Sequence, residues 1–273
     1  MPEFDTSHVK NIVLLGHAGS GKTTLTESML FEAGLTNSRG NVLEQNTISD
    51  YHELEQERGN SIFSTLLHTK WRGYKINIID TPGYDDFSGE VISALRIADA
   101  GVLLLNATSG VEVGADLIWQ YTEQFKTPMI FAVNKLDDDT ADFDITVQEA
   151  KSHFGNKIVV IQYPRQQGAG FHEIIDVLRM TMYKFKDTGG KPEKLPIPEE
   201  EKQKAQTILT TTQQKMAEVE MQALRAQMNP HFIFNCLNSI QQYILTNERE
   251  KASQYLTGFA SLIAGLLLCL QLL

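Results

Sequence analysis

Between residues 11 and 186 short apolar runs alternate with amphipathic stretches, the pattern of a sheet covered by helices on both faces. Strands are expected at 11–15, 61–70, 75–80, 101–106, 129–134 and 158–162, and helices after Gly21, Phe87, Gly114, Phe143 and Gly170. Only WRGY separates the second and third strands, too short a link for a parallel crossover. That pair is therefore expected to be an antiparallel hairpin at one side of a mostly parallel sheet, in an α/β fold.

The pattern changes at 187–204 (DTGGKPEKLPIPEEEKQK), where three of the eight prolines and a Gly-Gly pair lie among charges, which reads as a connector. Beyond it Ala205, Leu209, Thr212, Met216, Val219, Ala223 and Ala226 recur at alternating steps of four and three, a heptad seam on a long helix. Pro230 suits the first turn of a new helical segment and sets a bend before His231, so the second module is expected to be an α-helical hairpin. The expected organisation is a first domain at 8–186, a linker at 187–204 and a helical fragment at 205–273. The helices of the last offer a surface for a homodimer.

Composition narrows the classes. The chain has 273 residues, 42% of them hydrophobic, enough to bury a full-sized core. With 24 Lys and Arg against 34 Asp and Glu, its net charge is −10 and no direct DNA binding is expected. The two cysteines, Cys236 and Cys269, make neither a disulfide framework nor a zinc site, and the start MPEFDTSHVK lacks the apolar stretch of a signal peptide. A cytoplasmic location is expected. The apolar tract at 262–273, broken by Gln271, is shorter than the roughly 20 residues of a transmembrane span.

The strongest chemical signal is Gly16-His17-Ala18-Gly19-Ser20-Gly21-Lys22-Thr23, which fits G-x-x-x-x-G-K-[ST] between an apolar strand and an amphipathic helix that continues through Thr24. Glycines let the backbone curl so that several N–H groups face phosphate oxygens, and the helix adds its positive end. Lys22 is placed to bridge the β- and γ-phosphates, and the Thr23 hydroxyl to ligate Mg²⁺.

Asp80-Thr81-Pro82-Gly83 ends the strand expected at 75–80. There Asp80 can hold the metal through water, and the Gly83 N–H can approach a terminal phosphate closely; alone, the same four residues also read as an ordinary turn. Asn134-Lys135-Leu136-Asp137 ends the strand MIFAVN. The Asp137 carboxylate can accept from guanine N1–H and the 2-amino group, donors that adenine lacks, while the Asn134 amide meets N7 and O6. Such a site rejects an analogue without the matching groups by roughly 10⁴-fold or more. In this order the motifs point to GTP and GDP.

Residues 8 to about 203 resemble the start of the G domain of bacterial elongation factor G and its paralogues. Besides the three motifs, the resemblance rests on Glu55-Gln56-Glu57-Arg58-Gly59-Asn60-Ser61-Ile62, similar to the family's first switch segment, and on DFSGEVISALRIADAGVLLLNATSGVE. It implies a P-loop GTPase that hydrolyses GTP with Lys22, Gly83 and the residue after DTPG at the reacting phosphate. It also implies a metal shell of Thr23, Ser61 and Asp80, with Ser61 at the switch threonine position, and a ribosomal partner. Two positions depart from the pattern. Tyr84 stands where a histidine usually orients the attacking water; a phenol of pKa about 10 is a poor base near pH 7, so slow turnover is expected, and Tyr84 as a packing residue fits equally well. The Ser-Ala loop that reads guanine, which the family carries well downstream after an inserted subdomain, is not found. IVVIQ lies where a small GTPase presents that loop, but YPRQQGAG follows it, so reduced nucleotide affinity is expected.

In the second module His231 sits beside Asn235 and Asn238 on a more polar face, where an imidazole can accept a phosphoryl group or serve as a structural residue. The stretch ALRAQMNPHFIFNCLNSIQQYILTNEREKASQYL is similar to the dimerisation and phosphoacceptor region of sensor histidine kinases of the LytS type, which implies that His231 is the acceptor. Residues 264–273 carry no Asn box or glycine-rich lid of an ATP-binding kinase domain, so phosphorylation of His231 is expected only from a separate kinase. A histidine phosphorelay component and a join of two gene fragments are thus the alternatives to a GTP-binding protein.

Overall fold

The computed structural model describes residues 4–58, 60–83, 88–186 and 191–227. It builds a five-stranded sheet from β1 (Val9–Leu15), β2 (Thr65–Trp71), β3 (Tyr74–Asp80), β4 (Ala100–Asn106) and β5 (Met129–Asn134), in the order β2-β3-β1-β4-β5. β2 runs antiparallel to β3, and the other pairs are parallel. The hairpin turns through Arg72 (φ 48°) and Gly73 (φ 86°), two positive-φ residues whose twist suits a two-residue connection.

The carboxyl-terminal halves of β1 and β3 and most of β4 are buried, and their apolar runs reflect cover on both faces. Val13 and Leu15 of β1 join Leu103 and Leu105 of β4 under helices α3 (Ser88–Leu95), α4 (Val113–Phe125) and α5 (Phe143–Phe154). The intervening Leu14 faces the other way with Ile78, against Leu30 of helix α1 (Lys22–Glu32). A short helix the periodicity did not announce, α2 (Glu53–Arg58), precedes β2. Asp142 caps α5 by accepting from the Ile145 N–H at 2.9 Å.

Two expectations are corrected. The run 158–162 adds no strand to the main sheet, and no helix follows Gly170. Instead β6 (Gln162–Pro164), β7 (Glu173–Asp176), β8 (Thr181–Lys184) and β9 (Glu193–Leu195) form a second, wholly antiparallel sheet in that order. The β7–β8 turn is the physical reason for the difference. Asp176 accepts from the Arg179 N–H at 2.9 Å and pairs with the Arg179 guanidinium at 3.2 Å, bending a segment whose apolar spacing mimics a helix. Tyr163, Ile175, Val177 and Met182 then bury against Leu136 and Phe143 of the first layer.

The span 187–204, expected as a connector, contains β9 and the start of helix α6 (Glu199–Gln227). Pro198 precedes that helix and Glu199, Glu200 and Glu201 fill its first turn, where negative charge is favourable. Glu201 accepts from the Tyr163 hydroxyl at 2.9 Å, and Arg165 bridges Glu173 at 2.7 Å and Glu200 at 2.8 Å. Ala205 is buried there, whereas Met216 and Val219 of the expected seam are about half exposed. The chain divides into compact units at Met1–Leu209 and Thr210–Leu273; the described part of the second lies within α6. Among the described residues no helix is long and apolar enough to cross a membrane.

Candidate functional site

β1 ends in the loop 16–21, and α1 begins at Lys22. Gly16, Gly19 and Gly21 have φ of 143°, 75° and 99°. At Gly16 a Cβ would lie 2.7 Å from the Leu104 carbonyl, and at Gly21 it would collide with the Asn134 amide, so both side-chain-free positions are required. The buried Lys22 Nζ donates to the carbonyls of Gly16 at 2.8 Å and His17 at 3.0 Å, drawing the loop around itself. Burial pushes its pKa down to about 8, against the pull of Asp80, Asp50 and Glu112.

Asp80 ends β3 directly beside this loop. Thr81 fastens the strand end by donating to the Leu14 carbonyl at 2.6 Å. A Cβ on Gly83 would stand 2.5 Å from Lys22 Nζ and 2.6 Å from the Ala18 nitrogen, so the Asp80–Gly83 turn touches the loop at its centre. Asp80 Oδ2 accepts from Ser49 Oγ at 2.6 Å, while its Oδ1 is buried without a partner. Burial raises the pKa of Asp80 to about 6, opposed by the Ser49 hydrogen bond and by Lys22.

The segment 40–63 closes over this corner. Ser61 Oγ lies 3.1 Å from Thr23 Oγ1 and donates to Asp50 Oδ1 at 2.6 Å. Burial raises the pKa of Asp50 as well. A cavity of about 200 Å³ remains between Ala18, Gly19, Lys22, Thr23 and Thr24 on one side and Asp50, Asn60 and Ser61 on the other, with Gly83 in its wall. Two adjacent hydroxyls and two carboxylates, that of Asp80 with one oxygen unpartnered, suit a hard cation. Among the described residues no group of three or more His, Cys, Asp or Glu could hold a metal unaided, so such an ion needs phosphate oxygens to complete its shell.

At the far end of the loop Asn134 Nδ2 donates to the Ser20 carbonyl at 2.8 Å. Lys135 (φ 59°) turns the chain out of β5 and leaves itself and Asp137 exposed beside it. The loop at 165–170, where no Ser-Ala pair occurs, is bound to this corner: the Gly168 N–H donates to the Leu136 carbonyl at 2.8 Å, and Gln167 accepts from the Phe143 N–H at 2.6 Å. His17 is less tightly held, 3.9 Å from Glu112 with a buried, unpartnered Nδ1.

Gly16 to Thr24, Asp80, Gly83, Ser61 and Asn134 are thus joined by direct contacts, and Lys135 and Asp137 follow Asn134 at the end of β5. Tyr84 and His231 lie outside the described residues. Ser49, Asp50 and Glu27 were not singled out by the sequence, and Glu55 only as part of the segment resembling the first switch. Glu27 carried a signal, an acidic residue on the same stripe of α1 as Thr23, Thr26 and Leu30, all of them buried. Asp50 carried none beyond lying before the Glu55–Ile62 segment.

A glycine-rich loop on a helix N-terminus, beside an aspartate strand end and an Asn-Lys-Leu-Asp corner, defines a P-loop nucleotide-binding domain. The chain belongs to the elongation factor Tu GTP binding domain family, whose description matches residues 7–251. It is 34% identical to elongation factor G of Thermotoga petrophila over 221 residues, 81% of this chain and 32% of that protein. It is 39% identical to the mitochondrial ribosome-releasing factor 2 of Drosophila willistoni over 194 residues, 70% of this chain and 26% of that protein. A crystal structure of a Thermus thermophilus protein superposes with a TM-score of 0.71 at 32% identity, over 76% of this chain and 31% of that one. The chain therefore spans about a quarter to a third of the length of these relatives. The family match also runs through His231 and most of the stretch read as a phosphoacceptor region.

Proposed function

We propose that the chain is a guanine-nucleotide-binding domain of elongation factor G type, cytoplasmic, which binds GTP and GDP with Mg²⁺ and hydrolyses GTP slowly. The observation that carries the reading is the meeting of Thr23 and Ser61, 38 residues apart, at 3.1 Å beside the unpartnered oxygen of Asp80. Thr23 and Ser61, with Asp80 acting through water, would hold Mg²⁺, which when bound would supply positive charge to offset that of the phosphates. Lys22 and the loop amides offset charge on the transferring group, and the Gly83 N–H senses the terminal phosphate. Asn134 and Asp137 read the base, with Lys135 flanking it. By the resemblance Tyr84 takes the position of the residue that orients water, and a phenol there is a poor base near pH 7, which is the reason slow hydrolysis is proposed. The second sheet stands in the chain where the resemblance implies an inserted subdomain, and a ribosome is the proposed partner through resemblance alone.

Titration of the purified chain with GTP, GDP and ATP, with and without Mg²⁺, tests the reading. Mg²⁺-dependent binding of both guanine nucleotides and none of ATP is expected; equal binding of ATP overturns the base assignment. The phosphoacceptor reading of His231 and dimerisation through the carboxy-terminal helices rest on sequence resemblance, and transfer of label from a cognate kinase, lost in His231→Gln, tests the former.

A further inference from the structure

Among the described residues, Glu27 and Glu55, each 1% exposed, are buried carboxylates that take no part in the chemistry above. Glu27 projects from α1, one turn beyond Thr23. Its Oε1 accepts from the backbone N–H groups of Ile48 at 2.7 Å and Ser49 at 3.0 Å. Its Oε2 lies against Gly40, where a Cβ would collide with it. Glu55 projects from α2, and its Oε1 accepts from the N–H groups of Ile62 at 2.9 Å and Phe63 at 3.0 Å, while Oε2 meets the His52 N–H at 3.3 Å.

These attachments fall at informative places. Glu27 holds the backbone immediately before Asp50, and Glu55 holds it immediately after Ser61. Asp50 and Ser61 are the two residues that bond to each other at 2.6 Å over the Thr23 hydroxyl. Ser49, whose N–H is held by Glu27, is also the residue whose hydroxyl reaches Asp80. A buried carboxylate is retained only where donors satisfy it, and here those donors are backbone groups flanking the metal corner.

We propose that Glu27 and Glu55 are positioning residues that clamp the two ends of the 50–61 segment, so that Asp50 and Ser61 stand ready for the cation that accompanies the phosphates. The inference rests on the nucleotide reading above. The clamp acts on the metal-dependent part of nucleotide binding, since neither residue touches the loop amides or the base corner.

The test uses the full chain and its Glu27→Ala, Glu27→Asp, Glu27→Gln and Glu55→Ala variants. Release of a fluorescent GDP is followed across a Mg²⁺ series and in EDTA. In Glu27→Ala and Glu55→Ala the Mg²⁺ concentration that half-maximally slows release is expected to rise about tenfold, with the EDTA rate unchanged. Glu27→Asp, which keeps the charge but withdraws the oxygens, shows the same selective loss and carries the test if the alanine variant does not fold. Glu27→Gln, which keeps an acceptor oxygen, stays within about twofold of the parent. Parallel shifts with and without Mg²⁺, or none, overturn the clamp. Trypsin cleavage after Arg58 in the nucleotide-free chain separates this outcome from failure of the nucleotide reading. If the parent binds no guanine nucleotide that reading falls, while cleavage about tenfold faster in Glu27→Ala and Glu27→Asp still supports the clamp and unchanged cleavage overturns it.

Discussion

Ser61 donates its hydroxyl to Asp50 at 2.6 Å and lies 3.1 Å from the Thr23 hydroxyl, so one serine joins the segment above the cavity to the helix below it. Ser61→Ala removes both contacts and leaves Asp50 with one acceptor unfilled. Such a loss at a charged group amounts to about 1.5–3 kcal/mol, so Mg²⁺-dependent GTP affinity is expected to fall about tenfold or more. Calorimetric titration in Mg²⁺ and in EDTA measures it, and equal loss in both media argues against Ser61 as a metal-shell residue.

Lys22→Ala should abolish nucleotide binding; submicromolar GTP affinity in the variant would contradict the site. The parent carries a pH signature as well. With a pKa of about 8 in the nucleotide-free fold and 10.5 as its ordinary value, Lys22 binds fewer protons folded than unfolded between those pH values. Stability therefore rises with pH through that window, and at pH 7 the buried ammonium costs on the order of 3 kcal/mol. Nucleotide affinity should run the opposite way, falling as pH climbs past about 8 and the charge that meets the phosphates is lost. Paired melting and binding series from pH 7 to 9.5 check both directions.

Asp80 behaves in the opposite sense. Its folded pKa of about 6 lies above the ordinary 3.8, so the fold holds the extra proton between these values and this group's contribution to stability falls as pH rises through them. Asp80→Asn should raise the melting temperature of the nucleotide-free chain at pH 7.5 and remove most of the Mg²⁺ dependence of nucleotide retention. Thermal unfolding at pH 5 and 7.5 reads the first effect, and the gap between variant and parent should narrow at the lower pH.

Gly83→Ala places a methyl group 2.5 Å from Lys22 Nζ and 2.6 Å from the Ala18 nitrogen. The turn must retreat or the loop must open, and overpacking of this kind costs about 1–3 kcal/mol. GTP affinity is expected to fall more than GDP affinity, because the methyl occupies the approach to the terminal phosphate. Competition binding with the two nucleotides decides it.

The nucleotide loop, the Asp80 turn and the hairpin were legible because each is written in contiguous residues with fixed spacing. Gly16 to Thr23 dictate one backbone path, and WRGY allows one kind of connection. The second sheet was not legible for a physical reason. Its strands are three or four residues long, too short for a period of two to separate from a period of 3.6, and its decisive turn depends on Asp176 reaching Arg179. The corner around Asp80 was half legible. Ser61 came from a resemblance in sequence, whereas Asp50, Ser49, Glu27 and Glu55 acquire meaning only when the chain folds back and brings residues 27, 49 and 80 within hydrogen-bond range.

The hydrogen bond from Asn134 to the Ser20 carbonyl spans 114 residues and fixes the separation between the corner at the end of β5 and the loop around Lys22. On the proposed function this makes the domain a gauge as well as a cradle. A ligand must present its purine and its phosphates at one set spacing, so a shortened or lengthened sugar linkage would satisfy one end only by forfeiting the other.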